Sequence, residues 1–132
     1  GNVDALLAAH FGPQWRERFA AIVCAEDAPV KKPDPQAYRL VLQRLQLPAA
    51  ATVAIEDSPA GLQAASVLQI PVVIARSRYF CDDPVPGALA VGPELGCGEG
   101  WVPQPAAAGR VGLAQLNLWQ ASIAGGAGSA QR

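Results

Sequence analysis

Apolar residues along the chain alternate between helical and strand-like spacing. Helix-type spacing (i, i+3, i+4, i+7) is clearest within residues 35–45, at Tyr38, Val41, Leu42 and Leu45. Further helices are predicted over residues 2–11, 14–19 and 59–68. Short apolar runs predict strands at residues 21–25, 52–56, 70–75 and 89–91. Helices alternating with short strands favour an α/β fold with a parallel sheet and right-handed connections.

The last third of the chain has a weaker pattern. Residues 92–109 are rich in Gly and Pro and predict a loop. Residues 111–120 predict a closing helix, alone or after a short strand. Residues 124–132 are small and polar, which predicts a disordered tail after one folded unit over residues 1–123.

Composition and charge narrow the class of protein. The chain has 132 residues, 51% of them hydrophobic, which suits one globular core. Its net charge of −1, with acids and bases mixed, argues against nucleic-acid binding. No apolar run approaches a membrane span. Three cysteines, an odd number without metal-type spacing, favour a reducing compartment, so we expect a cytoplasmic protein.

Two adjacent acids follow the strand predicted at residues 52–56. Glu56 ends this apolar run, Asp57 comes next, and Ser58 and Pro59 are typical of a helix start. Ligands of open α/β sheets bind at this edge, outside the carboxyl ends of the strands. Two carboxylates there suit Mg²⁺, which takes one or two of them and keeps positions for water and phosphate. The simpler interpretation is that the acids only cap the helix.

A lysine precedes the helix predicted over residues 35–45. Lys32 stands just before Asp34 and Pro35, which are typical of a helix cap and a first helical position. A cation on one loop and two acids on the next make a phosphate-plus-metal site plausible. The alternative is that Lys32 is a solvated loop residue, as is expected of Lys31.

The two segments together resemble a known family. Lys32-Pro33-Asp34-Pro35, followed by Glu56-Asp57-Ser58 and Gly61, is similar to the last two motifs of haloacid dehalogenase (HAD)-like hydrolases. The spacing and flanks resemble most the CbbY branch, near the phosphoglycolate phosphatases and β-phosphoglucomutases. This resemblance implies a Rossmann-like three-layer α/β/α core with a parallel sheet. It also implies a Mg²⁺-dependent phosphatase that acts on a sugar phosphate, or another small phosphate ester, through an aspartyl-phosphate.

The resemblance assigns roles to four residues. Lys32 would be catalytic and bind phosphate, neutralising the nucleophile and the transferring phosphoryl group. Asp57 would hold Mg²⁺, directly or together with Glu56; Glu56 could bond backbone amides instead. Asn2 could contact substrate, although a helix cap is the simpler role.

Part of the family pattern is missing from these residues. Its nucleophile is the first Asp of an Asp-x-Asp motif, and no Asp-x-Asp occurs in the 132 residues. There is also no Met, and neither the family's cap domain nor its phosphate-binding Ser or Thr motif is present. We therefore expect the C-terminal portion of a HAD core that is inactive alone.

The missing strand has a second implication. In the family it lies beside the strand that ends at Glu56 and Asp57, so its absence would expose a sheet edge. Such edges recruit other strands, which predicts self-association or pairing with the missing N-terminal half. The alternative to an enzyme is accordingly a non-catalytic remnant that acts as a binding or self-associating module.

Three other polar residues have simpler explanations than catalysis. His10, the single histidine, lies near a predicted helix end and suits a surface position. Arg76 and Arg78 follow the strand predicted at residues 70–75, where they could meet a substrate phosphate. Solvated loop arginines are the simpler interpretation.

Overall fold

The computed structural model describes residues 2–126 and consists of helices around a short parallel sheet. The helices are α1 (Asn2–Phe11), α2 (Gln36–Leu45), α3 (Pro59–Ser66) and α4 (Leu113–Gly126). The strands are β1 (Ala54–Glu56), β2 (Val72–Ala75) and β3 (Ala90–Gly92). Short 3₁₀ turns lie at Trp15–Arg18 and Ala49–Ala51. The predicted α/β class is confirmed, with strands that are shorter than the apolar runs predict.

The sheet is parallel and is covered on both faces. Its strand order is β1-β2-β3, with Ile55 opposite Val73 and Val73 opposite Ala90. Because successive side chains of a strand point to opposite faces, Val72 and Ile74 join one core cluster and Val73 joins the other. The first cluster includes side chains of α2 and α3, and the second includes side chains of α4. These layers match the predicted α/β/α arrangement.

Local sequence signals fix the start of α3 and the end of α2. The Ser58 hydroxyl accepts a hydrogen bond from the Gly61 N–H at 3.2 Å, and Pro59 occupies the first turn. Asp34 accepts a hydrogen bond from the Gln36 N–H at 2.8 Å, so it satisfies a free donor at the start of α2. The helix ends at Gln46, whose φ of 54° is left-handed. The predicted cap at Ser58 is confirmed, whereas α2 begins one residue later than predicted, with Pro35 at the cap position and Asp34 bonded to the first helical N–H from one residue further upstream.

The loop after β3 folds back onto the sheet. Val91 and Val102 form an isolated antiparallel bridge, and the indole of Trp101 donates to the Cys97 carbonyl at 2.8 Å. A Cβ on Gly92 would lie 2.1 Å from the Trp101 ring, so this position needs glycine. The Trp101 and Trp119 rings lie 5.2 Å apart and join the loop to α4.

The strand predicted over residues 21–25 does not form. Residues 21–24 have no regular secondary structure and only half-buried side chains, and no described strand pairs with them. Arg44 donates to the Ile22 carbonyl, so a side chain replaces part of the missing ladder. An apolar run becomes a strand only when a neighbour accepts its backbone hydrogen bonds.

The first and last helices differ in part from what the sequence predicts. Helix α1 forms as predicted, but its apolar side chain Leu6 is 59% exposed. Helix α4 extends to Gly126, three residues into the tail predicted at 124–132. The remaining residues of that tail, 127–132, lie outside the described residues. Within residues 2–126, no helix has both the length and the apolar character needed to cross a membrane.

Candidate active site

Glu56 lies at the carboxyl end of β1 and turns its side chain under the start of α3. This side chain is only 8% exposed. A Cβ added to Gly61 would lie 1.9 Å from Glu56 Oε2, so the glycine provides the space that the carboxylate occupies. A short acid-turn-helix segment therefore fixes a largely buried negative charge at the edge of the sheet where α/β proteins bind ligands.

Two side chains from upstream of β1 bind the same oxygen of that carboxylate. The Lys32 ammonium and the Tyr38 hydroxyl both donate to Glu56 Oε1. The Lys32 Nζ also lies 5.4 Å from the centroid of the Tyr38 ring, within the range of a cation–π contact. The structure therefore brings Lys32 and Glu56 together as an ion pair, which the spacing in sequence alone did not specify.

Tyr38 is a site residue that the sequence analysis missed. Its position in the apolar stripe of α2 predicts a core side chain, and its ring does pack against the first core cluster. Burial, and then the hydrogen bond to Glu56, raise the pKa of the Tyr38 phenol above its ordinary value of 10.0, so the phenol remains a donor at neutral pH. The available signal was the hydroxyl itself, because a buried tyrosine usually places its O–H against a polar partner.

Asp57 differs from Glu56 in having no partner. It is exposed and makes no hydrogen bond or ion pair with the residues that the structure describes. An unengaged, exposed carboxylate is available for a cation. Glu56 Oε1, in contrast, is occupied by Lys32 and Tyr38, so its role in this arrangement is to hold Lys32.

The donor set fits part of a Mg²⁺ site. Within residues 2–126, no group of three or more His, Cys, Asp or Glu side chains is arranged to hold a metal ion. Mg²⁺ does not need such a cage, because it commonly takes one or two carboxylates and completes its octahedron with water and phosphate. Asp57 fits as one such ligand.

The other candidate residues lie apart from this cluster or are engaged elsewhere. Ser58 caps α3, and Asp34 accepts a hydrogen bond from the first N–H of α2. The Asn2 side chain lies outside the described residues, so its contact with substrate stays a prediction. Arg76 is not the solvated arginine expected, because its guanidinium donates to two backbone carbonyls.

Comparisons with known proteins identify the family of this chain. A family profile described as haloacid dehalogenase-like hydrolase matches residues 1–68. The protein CbbY (plasmid) of Cupriavidus necator is 47% identical over 121 residues, which cover 89% of this chain and 48% of that protein. CbbY of Rhodobacter capsulatus is 43% identical over 82 residues, 62% of this chain and 36% of that protein. The chain thus spans less than half the length of these relatives.

Solved structures give the same fold. The crystal structure of CbbY from Rhodobacter sphaeroides in complex with phosphate is 38% identical, with a TM-score of 0.62 over 66% of this chain and 39% of that one. A mutant of that protein, crystallised in complex with xylulose-(1,5)bisphosphate, aligns with the same TM-score, 0.62. The family match covers half of the chain, and the Cupriavidus necator relative is 47% identical over 89% of it. The chain belongs to the haloacid dehalogenase-like hydrolases.

Proposed function

We propose that this chain supplies the lysine and the metal-binding carboxylate of a Mg²⁺-dependent phosphatase that acts on a sugar phosphate. One observation supports this most directly: Glu56 and Tyr38 hold Lys32 at the end of β1, and the next residue, Asp57, has an exposed carboxylate without a partner among the described residues. A fixed cation and a free metal ligand at the carboxyl edge of a sheet are what a transferring phosphoryl group requires.

Each residue has a separate role in this proposal. Lys32 binds the phosphoryl oxygens and offsets the negative charge of the nucleophile. Glu56 and Tyr38 hold the ammonium in place, so little reorganisation is needed when the phosphoryl group arrives. Asp57 holds Mg²⁺, which when bound neutralises charge on the phosphoryl oxygens. The nucleophilic Asp of the family's Asp-x-Asp motif is not among these 132 residues, so it is supplied from outside them.

The relatives support the substrate class. Structures of the Rhodobacter sphaeroides protein are described as complexes with phosphate and with xylulose-(1,5)bisphosphate. A sugar phosphate is therefore the class that we assign to this chain.

The test combines this chain with the N-terminal half of the Cupriavidus necator relative and measures Mg²⁺-dependent phosphate release from an aryl phosphate. We expect no release by either part alone and release by the mixture. Asp57→Asn or Lys32→Met should each lower the rate at least about 100-fold, as expected when a group that stabilises the transition state is removed. Glu99→Gln removes one exposed acidic charge elsewhere and should leave the rate unchanged. Release that is unaffected by both site variants would contradict the proposal.

A second candidate function rests on a different observation. Strand β1 pairs only with β2 among the described strands, and Ile55 on that strand is 46% exposed. An unpaired edge with an exposed apolar side chain recruits further strands. We infer that the isolated chain self-associates through β1.

Light scattering at micromolar concentration tests this second function. We expect species larger than a monomer, and we expect Ile55→Lys to reduce them because an edge lysine opposes strand pairing. Leu113→Lys, at another exposed apolar side chain, is the matched control. A monodisperse monomer of the unmodified chain would rule this function out.

A further inference from the structure

A cavity apart from the candidate active site opens at the carboxyl ends of β2 and β3. Its volume is about 650 Å³, and its lining includes Arg76, Ser77 and Arg78 after β2, with Val91, Gly92 and Val102 from β3 and its bridge. Lys32, Glu56 and Asp57 do not line it. It is therefore a separate feature on the edge of the sheet where parallel strands present ligand-binding loops.

Arg76 is held rigidly at this cavity. Its backbone N–H donates to the Gly92 carbonyl at 2.8 Å, and Nη1 donates to the carbonyls of Phe80 and Asp83 at 3.0 and 2.9 Å. The residue is half-buried, and it forms no ion pair with any described carboxylate. Nε and Nη2 make no hydrogen bond within the described residues, so a preorganised guanidinium retains free donors and an uncompensated charge.

Two neighbouring side chains also have hydrogen-bond donors without acceptors in the described part of the chain. Arg78 donates only to the Tyr79 hydroxyl, at 3.2 Å, and also lacks a carboxylate partner among the described residues. The Ser77 hydroxyl is buried without a hydrogen-bond partner in the described part of the chain. Buried polar groups are usually satisfied, so such an orphan beside two unpaired cations indicates a missing ligand.

The nearby acids do not fill this role. Asp82 accepts a weak hydrogen bond from the Cys81 thiol at 3.4 Å, and Asp83 contributes its backbone carbonyl to Arg76. Neither carboxylate forms an ion pair with Arg76 or Arg78. The local charge around the cavity therefore remains available to an external anion.

We propose that this cavity binds a phosphate group through Arg76, Arg78 and Ser77. Guanidinium groups donate paired hydrogen bonds to phosphate oxygens, and the unpartnered hydroxyl of Ser77, a residue that lines the cavity, is a further donor. The bound group is either free inorganic phosphate or the second phosphate of a sugar bisphosphate; the latter source rests on the proposed function.

Inorganic phosphate is the first probe, titrated into the 132-residue chain while the arginine Nε–Hε signals are followed by NMR. We expect the Arg76 and Arg78 signals to shift together. Arg78→Gln should weaken binding about tenfold, the effect of losing one charge-assisted hydrogen bond. Ser77→Ala should weaken binding without lowering stability, because the hydroxyl it removes is already unpaired.

Two controls make the result decisive. Arg110→Gln removes the same charge from an exposed arginine away from the cavity. Lys32→Gln removes the candidate catalytic cation, and the Arg76 and Arg78 shifts should persist in it. Equal weakening by Arg78→Gln and Arg110→Gln, or loss of the arginine shifts in Lys32→Gln, would overturn the proposal. If the arginine shifts persist in Lys32→Gln, phosphate binding at the cavity does not depend on the candidate catalytic lysine. The cavity proposal can then hold even if the proposed function fails.

A second probe identifies the source of the phosphate. Xylulose-(1,5)bisphosphate and inorganic phosphate are compared in the unmodified chain and in Arg78→Gln. A larger loss of affinity for the bisphosphate supports a site for the second phosphate of a substrate. Equal losses support a site for free phosphate.

Discussion

The sheet region and the N-terminal region of this chain have similar apolar runs but different outcomes. In the sheet, Val72, Val73 and Ile74 are almost completely buried, each facing a core cluster. Before residue 25, apolar side chains such as Leu6 and Phe11 are half exposed, and Trp15 is the single buried apolar residue among those of this region that the structure describes. Hydrophobic periodicity predicts which face of an element seeks burial, but only a partner element provides it.

The candidate site joins the sheet to the segment that follows the N-terminal region. Lys32 and Tyr38 come from the loop and helix that follow the N-terminal region, and Glu56 comes from the sheet. The sheet therefore supplies the acid of the polar cluster, and the upstream segment supplies its cation and its hydroxyl. Substitutions in the two regions should differ sharply in their effect on stability.

Ile74→Ala should produce the largest loss of stability. Ile74 is fully buried in the middle of the sheet, and truncation of such a side chain costs about 2–5 kcal/mol through lost burial and a residual cavity. Leu6→Ala, at an exposed apolar position of α1, should change the free energy of unfolding by less than about 0.5 kcal/mol. Urea denaturation measures both. Similar losses for the two variants would mean that the N-terminal region is buried in solution.

Gly61→Ala should have the next largest effect. Its Cβ would overlap Glu56 Oε2 at 1.9 Å, so the carboxylate must leave its place under α3, at a cost of about 1–3 kcal/mol. Gly112→Ala is the control, because a Cβ there meets no atom within 4 Å. Displacement of Glu56 should also lower the phenol pKa of Tyr38 toward its ordinary value, measured by ultraviolet absorbance in a Tyr79→Phe background. An unchanged phenol pKa would contradict the described position of Glu56.

Tyr38→Phe should reduce stability by about 0.5–1.5 kcal/mol, the usual net value of one hydrogen bond. The pH dependence has a definite sign. Because the folded state raises the pKa of Tyr38, the unfolded state loses this proton first, and stability falls as pH rises above about 10. Tyr38→Phe should reduce this alkaline loss, whereas Tyr79→Phe, at an exposed side chain, should leave it unchanged. Chemical denaturation between pH 8 and 11, a range chosen to span the ordinary tyrosine pKa, provides the comparison.

Asp27→Asn should give the smallest effect and should act at acid pH. The hydrogen bond from the Cys24 N–H, and then Arg44, hold the pKa of Asp27 below its ordinary value of 3.8. The stability that Asp27 contributes is present above that value and is lost as pH falls through the lowered pKa. The variant should therefore show a flatter stability profile below about pH 4. Asp82→Asn serves as the control, and equal flattening in both variants would argue against a specific role for Asp27.

Much of the fold follows from local signals, and the failures share one cause. Helices α2 and α3 begin near the predicted residues because Asp34 and Ser58 satisfy free N–H groups there. Three of the four predicted strands form, and each pairs with a neighbour. Residues 21–24 do not form a strand because pairing depends on a neighbour that lies far away in sequence or outside these residues.

The site was predictable in its residue types but not in its contacts. Lys32, Glu56 and Asp57 were identified from the motifs, and the structure brings Lys32 onto Glu56. That Tyr38 shares the same oxygen depends on how α2 packs against α3 and the first core cluster. These are tertiary relations that apolar spacing along one helix does not contain.

The close approach at Gly61 has a consequence for how related sequences change. A residue without a side chain controls where a charge lies, because any Cβ there would occupy the volume of the Glu56 carboxylate. Positions 56 and 61 are therefore expected to vary as a pair, with a larger residue at 61 accompanied by a shorter acid at 56. Natural variation at position 61, which has no reactive group, would then show where related proteins place the carboxylate that holds the lysine.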